Sequence, residues 1–295
     1  PAGPAAHART RCPGRRMSHP ILDLRAQARE HAPALEVAPG LRTLAIGTWR
    51  ARMINEYRSA VVFEALATQL EAAGLDEASI ARCRGFADEE RHHGVLCGAV
   101  VEALGGQARS ELPPDAEVPA HEDVGPREAA LRNLISICCL SETVAVSLIG
   151  LEREQLPDGP LHELLTTIWA DECGHANFGW RRLPELVPTD DPEALERVGA
   201  YLRVAFAHLE AHELAHLPDA SPPVGGETLG LCSGSEARAL LRATIEQIIV
   251  PGLDAAGLPA SAAWASRHEV AGPLGDEARA RVGEVHRAAR GTATA

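Results

Sequence analysis

Along most of this chain apolar residues recur at the three-and-four spacing of one helix face, and strict strand-like alternation is missing. Positions 49, 53, 56, 60, 63, 67 and 70 read Trp, Met, Glu, Ala, Phe, Ala and Leu, which predicts a long helix from about Leu41 to Ala73, stopped at Gly74. Asp76 can cap a second helix that ends near Leu104 at Gly105-Gly106. Residues 107–125 contain Pro113, Pro114 and Pro119 without a period and read as a long crossover. Gly125-Pro126 opens a third helix to about Glu154, and Asp158-Gly159-Pro160 opens a fourth that ends before Pro184. Short, long and short connections predict an all-α four-helix bundle over residues 41–184. Asp191-Pro192 starts a fifth helix to about Leu217, and a sixth runs from about Gly234 to Pro251. Residues 185–295 are therefore expected to form a helical extension on the bundle, and residues 1–40 a disordered or extended segment. No strand is predicted.

Composition narrows the class. The hydrophobic share is 45%, enough for a large core, yet only 3% is aromatic. The formal charge of −13 and the absence of a basic stripe disfavour nucleic-acid binding. No uninterrupted apolar run reaches the roughly eighteen residues of a membrane span, and the Pro/Arg-rich residues before Met17 lack the apolar stretch of a secretory signal. Met17 reads as a natural start. Seven cysteines, an odd number without any CxxC, point to a reducing cytoplasm and exclude a CxxC-type zinc or iron site.

Chemistry enters through charges on the apolar seams. In the third helix positions 131, 135, 138, 142, 145 and 149 read Leu, Ile, Cys, Glu, Ala and Ile; in the fourth, positions 161, 165, 168, 172, 175, 179 and 183 read Leu, Leu, Ile, Glu, His, Gly and Leu. A lone carboxylate so placed must be neutralised, paired or metal-bound. One would be explained by a salt bridge; Glu56, Glu142 and Glu172, with no arginine on their seams, are harder to explain that way. The second helix reads Ala87-Asp88-Glu89-Glu90-Arg91-His92-His93 and the fourth Ala170-Asp171-Glu172-Cys173-Gly174-His175. Both contain Ala-Asp-Glu-x-x-His, whose Glu and His share one helix side. Each follows a seam glutamate at helix-hairpin distance. The expected ligand set for two metal ions is Glu56, Glu89, His92, Glu142, Glu172 and His175. Glu90/His93 is the competing frame, since the second helix has apolar neighbours in either phase; the echo in the fourth helix favours 89/92.

These stretches, with Glu56-Tyr57-Arg58-Ser59 and Ser141-Glu142-Thr143, resemble the ferritin-like di-iron carboxylate superfamily, over about Leu41 to Leu183. The resemblance implies a ferritin-like bundle holding two iron ions, with manganese the alternative. It also implies an oxygen-activating oxidase or monooxygenase that takes an unidentified small molecule, oxygen or peroxide, and electrons from an external donor. From the apolar pattern no membrane partner is expected, and a homodimer is left open. Non-catalytic metal storage or sensing is the alternative. No four-cysteine iron centre accompanies the bundle, which argues against a self-contained rubrerythrin-type relay, and Ile168 stands where arylamine N-oxygenases of the superfamily carry a further histidine.

A second motif competes. His212-Glu213-Leu214-Ala215-His216 matches HExxH, in which two histidines bind zinc and the glutamate is the general base of a peptidase. Glu236 is the available third ligand. The plainer reading is a fifth helix with a histidine stripe, because His208, His212 and His216 recur every fourth residue.

Overall fold

The structure, a computed structural model, describes residues 20–113, 118–217 and 220–279, so the Pro/Arg-rich segment and Met17 lie outside the described residues. The chain is all-α in character. Helix α1 spans Arg25–Glu30, α2 Pro39–Ala72, α3 Glu77–Ala103, α4 Pro126–Gln155, α5 Pro160–Leu186 and α6 Pro192–His216. Helix α7 covers residues 234–255 and α8 Ala260–Ser266. The punctuation works as elementary chemistry dictates. Asp76 accepts a hydrogen bond from the Ser79 amide at 2.9 Å, and Asp191 one from Ala194 at 3.0 Å, each satisfying a first-turn amide. Gly74 and Gly105 end α2 and α3 at φ of 81°, where a side chain would be strained.

The fourth helix, expected to end before Pro184, continues through it to Leu186. Three further features differ from expectation. A two-stranded antiparallel sheet pairs β1 (Ile21–Asp23) with β2 (Arg109–Glu111), Leu22 facing Ser110 across the ladder. At three residues each, the strands are too short to show alternation in sequence. With α1 they also give residues 20–30 regular structure within the segment expected to be disordered or extended. Third, α4 is long and apolar enough to cross a membrane, with a mean hydropathy of 2.0 over its most apolar window. Glu142 interrupts any continuous apolar run there, which is why a search for one misses it. The helix takes its apolar character from packing, since α5 and α7 lie against it and the late turns of α2 lie against its first turns.

Helices α4 and α7 each contain a π-helical stretch, at Ile135–Ser141 and Ile245–Ile249. The wider turn inserts a residue into the 3.6-residue repeat. In α4 this turns both Cys138 and Cys139 inward and delivers Glu142, the residue that follows it, to the interior. Gly179 of α5 packs here; a Cβ on it would lie 2.4 Å from the Cys138 Cβ.

The core falls into two apolar clusters. One contains Phe63, Leu66, Phe86, Leu134 and Phe178; the other contains Trp49, Met53, Leu96, Leu104, Leu165 and Ile168. Helices α2, α3 and α5 run through both, and each changes from one cluster to the other at a buried polar layer. The C-terminal region is tied to α2 through Trp49, whose Nε1 donates to Leu229 O at 2.8 Å, and within that region a buried two-bond pairing of Arg267 with Glu210 at 2.9 and 3.0 Å joins the end of α8 to α6.

Candidate metal centre

The polar layer consists of Glu56 from α2, Glu90 and His93 from α3, Glu142 from α4, and Glu172 and His175 from α5. Local packing sets their height. Gly94 lets α3 approach α2 so closely that a Cβ there would meet Tyr57 Cβ at 3.1 Å and Met53 O at 3.3 Å, bringing Glu56 beside His93. The close contact at Gly179 does the same for α4 and α5, one turn beyond His175.

Side-chain ligand atoms in this layer converge within 4.8 Å in two overlapping groups that could hold a metal ion, one of Glu56, Glu90, His93 and Glu172, the other of Glu90, Glu142, Glu172 and His175. Glu90 and Glu172 belong to both. Each histidine turns Nδ1 inward. His93 Nδ1 lies 3.3 Å from Glu172 and 3.7 Å from Glu56; His175 Nδ1 lies 3.1 Å from Glu172, 3.2 Å from Glu90 and 3.8 Å from Glu142. His93 Nδ1 is buried without a hydrogen-bond partner, an unusual condition that a bound cation would relieve.

The outward nitrogens are tied across the two hairpins. His93 Nε2 meets Asp171 of α5 at 3.1 Å, and His175 Nε2 meets Glu89 of α3 at 2.9 Å. Glu89 in turn accepts from Arg82 at 2.5 Å. Such a partner fixes ring orientation and leaves Nδ1 free to be the ligand. Phe63 and Phe86 wall the His175 ring at centroid distances of 5.0 and 4.5 Å.

The structure brings together four of the six residues expected from sequence, Glu56, Glu142, Glu172 and His175. On α3 it brings in the competing frame, Glu90 and His93. Glu89 is half-buried on the outer side of His175, and His92 is exposed, its ring edge-on to His31 at 5.5 Å. The reason is the seam: Cys83, Ala87, Glu90, Gly94, Cys97 and Val101 are all buried, whereas the 89/92 phase runs along the helix flank. The informative echo was one residue further on, an acid followed by Glu-x-x-His in both helices (Glu89-Glu90 and Asp171-Glu172), which also marks the outer partners.

Electrostatics shows how the layer holds itself without cations. Burial, then the charges of Glu172 and Glu56, push Glu90 up to about 8. Burial and the Glu172 charge take Glu142 well above the usual carboxylate range. Burial alone would raise Glu172, but Glu142, His175 and His93 hold it low. Burial would likewise lower both histidines, yet Glu172 and Glu56 raise His93 to about 11, and Glu142, Glu172 and Glu89 raise His175. These directions all favour protons on Glu90, Glu142, His93 and His175, and divalent cations would take the place of such protons, so the chemistry of this donor set fits bound cations.

The second motif does not converge in this way. Among the described residues, His212, Glu213 and His216 form no group of three or more such ligand atoms, and Glu236 accepts from Gln155 Nε2 at 3.3 Å. Glu213 is half-buried, and burial raises its pKa to about 7 from an ordinary 4.5. A carboxyl raised in the folded state binds a proton that the unfolded chain has released, so its contribution to stability is present below 4.5 and lost as pH rises to about 7. Glu213→Gln is therefore expected to flatten this dependence, gaining about 1–2 kcal/mol on the parent at pH 8 relative to pH 4.5 after allowance for partial exposure. Parallel melting curves for parent and variant across that range would refute it. No family model, curated protein or solved structure matches the chain.

Proposed function

We propose that this chain is a ferritin-like di-metal carboxylate protein that oxidises a small molecule with oxygen or peroxide, drawing electrons from an external donor. The observation that carries this reading is the pair of overlapping ligand groups sharing Glu90 and Glu172. Four carboxylates with two imidazoles form a hard, oxygen-rich donor set suited to iron or manganese. Glu56, Glu90, Glu142 and Glu172 would hold the ions through carboxylate oxygens, Glu90 and Glu172 being common to both groups, and His93 and His175 would each supply a nitrogen. Two ions of this kind would supply the redox chemistry. The protein's part is to fix six donors on four helices, orient both imidazoles through Asp171 and Glu89, and exclude water on the Phe63 and Phe86 side.

Anaerobic loading with iron(II), metal analysis and then exposure to oxygen tests this reading. Two iron ions per chain are expected, with oxygen uptake that continues when a reductant is supplied. Uptake that stops after one stoichiometric round would favour the storage or sensing alternative. A single zinc and no bound iron would refute the di-metal reading.

A further inference from the structure

The C-terminal half of α6 carries a second set of imidazoles that the bundle centre does not use. His208, His212 and His216 are exposed and lie in line along one helix face. The rings of His212 and His216 are 4.8 Å apart between centroids; those of His208 and His212 are 6.0 Å apart and nearly parallel. None of the three makes an ion pair with a described residue.

We propose that His212 and His216 hold one borderline divalent cation, of the zinc, nickel or copper(II) kind, at a surface site separate from the carboxylate layer. Two nitrogens at about 2.0–2.1 Å from one zinc ion place their rings roughly 5 Å apart, and the 4.8 Å pair already stands at that distance. The stacked His208 ring stands too far off to share the ion. Imidazoles without carboxylates select borderline cations over iron(II) or manganese, the reverse of the bundle layer. His216 is the last residue of α6, where the terminal carbonyls favour positive charge. Arg238 already exploits that end, donating to Leu217 O at 2.8 Å. Water would complete the coordination, so the cation would exchange readily with solution.

The test titrates zinc into iron-loaded protein and measures both metals after equilibrium dialysis, in parent, His208→Ala, His212→Ala and His216→Ala. The parent is expected to take up one zinc beyond its iron, with iron content unchanged. His208→Ala should keep that zinc; His212→Ala and His216→Ala should each bind it at least about tenfold more weakly. The result is a difference between parent and variants, so it holds whether or not the bundle layer carries metal. Equal zinc uptake in all four proteins, zinc gained only as iron is lost, or no uptake by the parent would overturn the site.

Discussion

Glu90→Ala is expected to abolish metal binding in both halves of the centre, while Glu89→Ala, one residue away, still fills at saturating metal. Glu90 lies in both ligand groups, so its loss takes an oxygen donor from each. It also leaves Glu172 without the neighbour that would share two cations with it. Glu89 reaches the centre only through His175 Nε2. Losing such an outer partner typically weakens metal binding by about 10–100-fold and leaves the site intact. The same contrast should separate His93→Ala, which loses metal, from the exposed His92→Ala, which does not. Metal content at saturating iron(II) decides it. Retention in Glu90→Ala with loss in Glu89→Ala would return the centre to the frame first expected from sequence.

Stripping the metal is expected to lower the melting temperature by roughly 10 °C or more. A ligand held at a thousand times its dissociation constant adds about 4 kcal/mol to stability, and about 2–4 °C follows from each kcal/mol in a chain of a few hundred residues. Two ions would act together, and the protons favoured by the empty layer would oppose them. Acid favours the protonated, metal-free layer, so the metal-dependent gain should shrink from pH 8 to pH 6. Glu142→Gln sharpens the test. In the metal-free protein Glu142 is held protonated by burial, so the amide replaces one neutral group with another of similar size and should change stability little. With metal supplied, the variant should lose most of the stabilisation. Calorimetry of both proteins, with chelator and with iron(II) under anaerobic conditions, reads all four states. An equal gain in parent and variant would make Glu142 a structural residue.

The helices were legible because their ends are written in residues with few alternatives: Gly74, Gly105, the capping Asp76 and Asp191, and prolines at first turns. The seam carboxylates of α2, α4 and α5 were legible as charges where only apolar groups belong. On α3 the reading slipped by one residue. Two adjacent glutamates precede two adjacent histidines, and each frame keeps apolar neighbours until burial separates Cys83, Ala87 and Cys97 from the flank. The π stretch before Glu142 was not legible either, because an inserted residue leaves the composition of a helix unchanged and alters only its phase. Asp171 was passed over as a flanking letter and Glu89 was read as a ligand, since the partner of each lies on the opposite hairpin.

That crossed pairing binds the two halves of the chain to a common history. Asp171 steadies a histidine 78 positions earlier, and Glu89 one 86 positions later. Neither hairpin contains a self-sufficient half-site: each lends its acid, and its shared glutamate, to the other. A substitution tolerated by the hairpin that carries it would be felt at the ion capped by its partner, so the two are expected to drift together. By the same geometry, two copies of one hairpin facing each other about a twofold axis would reproduce the full complement of donors.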